Sequence, residues 1–170
     1  MTRLLLPLDH HAEPADTAEL ALLHRLKALP RRVQQVFLLS RLDQLTYAVI
    51  ARRLDLSDAS VERHMNQVLQ ATLSAPAPLA RAAGQWYVRL QSPLITASER
   101  IDFRRWLDAD PEHLAAFHAT ELRWRSLLAP ARALGENLWY RQTRAAFSLG
   151  GCTVAMGLGL AAVLALGFWY

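Results

Sequence analysis

"LTYAVIARRLDLSDASVERHMNQ", residues 45–67, decides the fold class of the chain around it. Thr46 has the chemistry of an N-cap for a short helix that buries Tyr47, Ile50 and Leu54. Ser57, directly after "LDL", does the same for a longer helix whose apolar stripe is Val61, Met65, Val68 and Leu69. Two helices joined by a turn of about three to four residues predict a helix-turn-helix. Upstream, Pro30 suits the first turn of another helix, with Val33, Val36, Phe37 and Leu39 on its inner side. No stretch alternates apolar and polar over a strand's length, so the expected class is all-α.

A helix-turn-helix lays its second helix in the major groove, with the N-terminal outward side chains at base edges. Here Ser57, Asp58, Ala59, Ser60, Glu62, Arg63, Asn66 and Gln67 hold those positions. Arg63, Asn66 and Gln67 carry the donors that guanine and adenine edges accept. Arg31, Arg32, Arg52 and Arg53 are the candidates for phosphate contacts. Polar-faced helical hairpins that bind no DNA are common, and periodicity alone does not separate the two readings.

The charge pattern limits what such a contact can be. The net charge of the 170 residues is +4, and Lys27 is the only lysine. Residues 31–73 hold six arginines against four carboxylates, a balance of +2. That is too little for non-specific nucleic-acid binding by charge alone, so any DNA contact must rest on shape and a few side chains. Cys152 is the only cysteine, which excludes an internal disulfide and a thiolate metal site. The paired His10 and His11 lack further ligands nearby and belong to an N-terminal tail or partial helix over residues 1–28.

After "SAPAP" at residues 74–78 a second unit begins, expected over 79–144 as a small three-helix bundle. Leu79, Ala83, Trp86 and Leu90 form one stripe, and "TASE" at 96–99 is a capping box. The helix that follows carries Ile101, Phe103, Trp106 and Leu107. Asp110 is then the N-cap and Pro111 the first residue of a helix bearing Leu114, Phe117, Trp124 and Leu128, with breaks expected at Pro130 and Gly135. Glu99, Asp102, Asp108, Asp110 and Glu112 sit at helix starts and on polar faces, where capping and the helix dipole account for them. Without a nucleophile, a phosphate loop or a ligand cluster, neither an enzyme nor a cofactor is expected.

From Ala145 to Tyr170 there is no charged residue. A helix of that length reaches roughly 39 Å, more than the ~30 Å of a bilayer core. Arg141 and Arg144 precede it, so the expectation is a single-pass transmembrane helix in the inner membrane with the N-terminus cytoplasmic. Gly151, Ala155 and Gly159 recur every fourth residue, a stripe suited to a homodimer through that helix.

Two resemblances sharpen the expected function. "LPRRVQQVFLLSRLDQLTYAVIARRLDLSDASVERHMNQVLQ", residues 29–70, resembles region 4 of extracytoplasmic-function sigma factors, especially those of iron-uptake systems. The resemblance implies binding to a −35 promoter element and to RNA polymerase. That family usually has Gly where this chain has Gln44 and Asp55, positions that favour a left-handed backbone, and an acidic residue where this chain has Val49. Region 2, which reads the −10 element, has no counterpart. "AAGQWYVRLQSPLITASERIDFRRWLDADPEHLAAFHATELRW", residues 82–124, resembles the cytoplasmic domain of FecR-type anti-sigma regulators, through its W-x-x-R-L, FRRWL and DPEH-x-x-AF blocks. It implies a domain that binds sigma region 4, with Trp86, Leu90, Phe103, Trp106, Phe117 and Trp124 as the protein-binding candidates. The periplasmic domain of that family has no counterpart.

Together these give a membrane-tethered, anti-sigma-like regulator of iron-uptake signalling, binding a sigma region 4 of its own or another chain. The alternative is a DNA-binding protein that reads a −35-type element directly, and a third reading is a decayed fusion. The linker of five residues spans at most roughly 17 Å, an obstacle to docking within one chain that leaves docking between two chains, or capture of a separate sigma factor, equally open.

Overall fold

The computed structural model describes residues 14–75 and 77–142, and all their regular structure is helical. In chain order the helices are α1 (Pro14–Lys27), α2 (Arg31–Arg41), α3 (Tyr47–Leu54), α4 (Asp58–Ala71), α5 (Pro78–Arg89), α6 (Ala97–Asp108), α7 (Pro111–Ser126) and α8 (Leu128–Leu134), followed by a 3-10 turn, Trp139–Arg141.

The sequence signals act locally as their chemistry requires. The Ser57 hydroxyl accepts from the Ser60 amide at the start of α4, and Asp110 accepts from the Glu112 amide at the start of α7. The capping box at Thr96 and Glu99 forms in both directions and starts α6. Thr46 is the N-cap of α3 by backbone conformation but makes no side-chain cap. The break near Pro130 falls earlier: α7 ends at Ser126, Leu128 opens α8, and Pro130 sits in the first turn of α8, where a missing N–H costs nothing.

Helix α2 lies at the centre. Seven consecutive residues, Val33 to Leu39, are buried, so this helix has little solvent face between its ends. Helices α3 and α4 cover one side, supplying Tyr47, Ile50, Leu54, Val61, Met65 and Val68. The second half of the chain covers the rest, with Val88 from α5, Leu127, Ala131 of α8 and Tyr140 of the 3-10 turn in the same core cluster. Helix α1 packs against α8 and contributes Leu26.

The expected obstacle to docking within one chain therefore does not arise. Helix α5 folds straight back along α4, with Gly84 so close to Leu69 that a Cβ there would lie 3.8 Å from its side chain. A hairpin of neighbouring helices asks little of a short linker. The return through α7 and α8 then carries the chain to the far side of α2. Helix α6 sits outermost, with no buried residue, packed on α7 through aromatic side chains.

The expected transmembrane helix and the single-pass inner-membrane placement are corrected. Among the described residues no helix is long and apolar enough to cross a membrane. The longest, α7, has 16 residues and carries Glu112, Glu121, Arg123 and Arg125; at ~1.5 Å per residue it reaches about 24 Å, short of a bilayer core. Residues 145–170, the expected span with its dimerisation stripe, lie outside the described residues, as do His10, His11 and Cys152.

Two departures from glycine prove to matter for the backbone. Gln44 and Asp55 both stand at φ 53°, in the left-handed region. Asp55 terminates α3 there, its amide bonded to the Ala51 carbonyl. A long side chain at such a position costs about 1–2 kcal/mol that glycine avoids, partly offset by the entropy glycine loses on folding. Gln44→Gly should therefore raise stability by about 0.5–1 kcal/mol in urea unfolding, and Asp55→Gly by less.

Candidate functional site: a helix-turn-helix clasped by the second half

The outward face of α4 is divided. Arg63 and Gln67 are exposed, and Arg63 donates to the Ser60 hydroxyl at 2.8 Å. Ser57 is also exposed, whereas Asp58, Ser60 and Asn66 are half-buried. Asn66 faces α5 across a narrow cleft shared with Leu69, Gln70, Leu73, Arg81 and Gly84. Glu62 is engaged outright: Arg89 Nη1 donates to both its oxygens, at 3.0 and 3.2 Å, and the Ser92 hydroxyl donates to Oε1.

Arg89 does more than hold Glu62. Its Nε and Nη2 form a fork to Glu99 at 2.8 and 3.0 Å, and Nη2 also reaches the Leu94 carbonyl. One guanidinium thus ties α4 to the capping box of α6. The Arg89 fork, then the Thr96 amide, pushes the Glu99 carboxyl down to about 2 from an ordinary 4.5. Two carboxylates beside one arginine leave the group firmly charged, and Arg89 itself is raised by the same contacts.

A second set of contacts closes over α2 and the end of α3. The Gln35 amide donates to the carbonyls of Tyr140 and Gln142, at 2.9 and 3.1 Å. Arg141 grips Asp43 through Nε and Nη2 at 2.7–3.2 Å, and the Tyr140 hydroxyl donates to the same carboxylate at 3.1 Å. The Arg31 guanidinium stacks 3.2 Å from the centre of the Trp139 ring, and Arg53 donates to the Arg141 carbonyl at 2.8 Å. Arg32 is held by the Leu54 carbonyl and the Gln35 side chain. All four arginines expected at phosphates remain exposed; Arg31 and Arg53 are in contact with residues 139–141, Arg32 is held by Leu54 and Gln35, and Arg52 points to solvent.

His64, half-buried on α4, marks the charge of this edge. Burial first, then the neighbouring Arg63 and Arg32, lowers its pKa below the ordinary 6.5.

The protein-binding candidates fare unequally. Trp124 meets the first unit, edge-on to Phe37 at 5.8 Å and beneath the Arg41 guanidinium at 5.0 Å. Trp86, Phe103, Trp106 and Phe117 stack among themselves on α5, α6 and α7, at 5.0–6.5 Å, and hold that bundle together. Leu90, half-buried, caps α5. Reasoning from sequence missed Tyr87, which bridges Phe117 to Trp124, and missed Gln35, Asp43, Arg89, Tyr140 and Arg141. Arg89 was within reach, as the charged member of the W-x-x-R-L block; nothing in the periodicity points to Tyr140.

Comparison with known families accounts for both halves. The family described as sigma-70, region 4 matches residues 19–71. The family described as a domain of unknown function, DUF4880, matches residues 81–122. The chain carries a sigma-70 region 4 domain and a DUF4880 domain. A DUF4880 domain is typical of FecR-type regulators. Region 4 relates the chain to sigma-factor regulation, with helix-turn-helix DNA binding and contact with RNA polymerase or promoter DNA as its province. No curated protein and no solved structure matches. The match to region 4 begins within α1, a helix whose packing in the structure is chiefly against α8.

The Arg89 fork has a consequence for acid stability. Glu99 has a folded pKa depressed below its unfolded value, so its contribution is complete above about pH 4.5 and is lost as pH falls toward about 2. Glu99→Gln should flatten the acid limb of the stability curve over that window, as read by thermal melts between pH 2 and 7. An unchanged acid limb would contradict the fork.

Proposed function

We propose that the chain is a sigma-factor-related transcription regulator in which the DUF4880 unit captures region 4 within the same molecule. The observation that carries this reading is the grip of Arg89 and Ser92 on Glu62, a residue of the helix that meets base edges in a helix-turn-helix. The burial of Tyr140 and Leu127 in the core around α2 supports it from the opposite side. In this state region 4 presents part of its reading face and is restrained in its access to promoter DNA and polymerase. Assignment to iron-uptake signalling rests on family resemblance alone.

Capture predicts a self-sufficient interface. Residues 1–75 and 77–170, expressed as two polypeptides, should copurify as a one-to-one complex. Glu62→Arg should weaken the complex and Arg89→Glu in the partner should restore part of it. Failure of the two pieces to associate would end this reading.

A second reading is favoured by the exposure of Arg63 and Gln67 on α4: direct recognition of a −35-type element by the captured protein. Arg63→Ala should then cost about 1–3 kcal/mol of binding to a selected duplex and relax its specificity. A gel shift in which the substitution changes neither affinity nor sequence preference would remove it.

A further inference from the structure

Residues 138–142 form a short strap that ends the described chain on the basic edge of the helix-turn-helix. Its internal turn is closed by the Arg141 and Gln142 amides, bonded to the Leu138 and Trp139 carbonyls at 3.0 and 3.3 Å. Leu138, at its head, stands in the left-handed region at φ 51°, with a side chain about half exposed to solvent. The strap is therefore a strained connection anchored by Tyr140, which is buried in the core and whose carbonyl accepts from Gln35, while its contacts with Arg31 and Arg53 lie on an exposed edge and are individually weak.

What it touches is a cluster of cations. Arg31 and Arg32 at the start of α2, and Arg53 in the last turn of α3, meet at one edge of the helix-turn-helix. A cleft of about 230 Å³ there is lined by Arg31, Arg32, Gln35, Trp139 and Gln142. The strap satisfies these groups with neutral substitutes: an indole face for Arg31 and a main-chain carbonyl for Arg53. A phosphate oxygen is a stronger partner for a guanidinium than either, because it brings a full charge and accepts two hydrogen bonds. The Asp43 carboxylate is consumed by Arg141 and the Tyr140 hydroxyl.

We propose that the strap is an intramolecular occupant of the phosphate-contact edge, and that the duplex DNA backbone displaces it from Arg31 and Arg53. The proposal rests on the reading of the first unit as a captured region 4, and it names the regulation of that site. Capture is thereby graded: the Arg89 grip holds the reading helix from one side, while the strap sets how many arginines reach phosphate from the other. Loss of the strap raises DNA affinity without any new base contact.

The test uses the full chain, a duplex of random sequence, and binding measured across a salt series, because phosphate contact is independent of sequence. Arg141→Gln removes the clamp on Asp43 while lowering the protein's positive charge. Gly135→Ala is neutral and inserts a Cβ 2.8 Å from Leu42 Cδ1, 3.1 Å from Tyr140 Cε1 and 3.2 Å from the Ala131 carbonyl, crowding the buried ring that anchors the strap. Both should bind more tightly than the parent, by roughly three- to tenfold, as the competent fraction rises. The slope of log affinity against log salt should steepen by about 1.8, ~0.9 for each arginine freed. In the parent, DNA should also accelerate hydrogen exchange at the amides of Arg141 and Gln142. Weaker binding by Arg141→Gln with an unchanged slope, and no effect of Gly135→Ala, would overturn the strap while leaving capture intact. Absence of DNA binding by parent and variants alike would overturn the strap together with the DNA-binding role assigned to region 4.

Discussion

Helix α2 must be covered on every side. Its seven buried residues include two glutamines, and a buried amide costs about 1–3 kcal/mol wherever its hydrogen bonds are not replaced. Gln34 finds the Lys27 and Leu29 carbonyls, within the first unit. Gln35 finds its partners more than a hundred residues away, at Tyr140 and Gln142. A helix-turn-helix alone would leave that flank of α2 open. Tyr140 and Gln142, in the second half of the chain, close it, and this requirement makes the two halves one folded body.

The rest of the arrangement follows from that constraint. The chain must pass from α4 to the far side of α2, and it does so by running α5 back along α4 and returning through α7 and α8. The turn at residues 90–96 lands beside Glu62, which puts Arg89 where one guanidinium serves two carboxylates. The aromatic cluster of Trp86, Phe103, Trp106 and Phe117 keeps α6 and α7 together, while Tyr87 and Trp124 carry that packing to Phe37. Binding of region 4 is thus spread over an apolar contact, a charged fork and a polar strap. Only the apolar contact is expected to contribute strongly, since exposed ion pairs are screened by water and salt.

Much of the fold was legible because its signals are local. Ser57, Thr96 with Glu99, and Asp110 with Pro111 start helices by capping chemistry that needs no neighbour, and the apolar spacing of α4 fixes its inner face. Gln44 and Asp55 could be marked as left-handed positions because the related family places glycine there. The interface was hidden for a physical reason: Gln35, Asp43, Tyr140 and Arg141 are polar or aromatic residues whose partners lie far along the chain. Trp86 and Phe103, offered as binding residues, stand half-buried in the aromatic cluster of α5, α6 and α7, since binding and packing both ask for aromatic area. The five-residue linker misled because its reach was weighed against two separate bodies, whereas the docked helices are immediate neighbours in the chain.

Amide hydrogen exchange on the full chain, under conditions where native opening is at equilibrium, tests the central claim most directly. If region 4 and the DUF4880 unit form one body around α2, the amides of Val36–Leu39 and those of α8 should exchange through a single cooperative opening, with the same free energy and the same dependence on denaturant. Exchange at Ala131 to Leu134 that is faster by orders of magnitude than at Val36 to Leu39, through an opening that leaves α2 protected, would contradict capture within the chain.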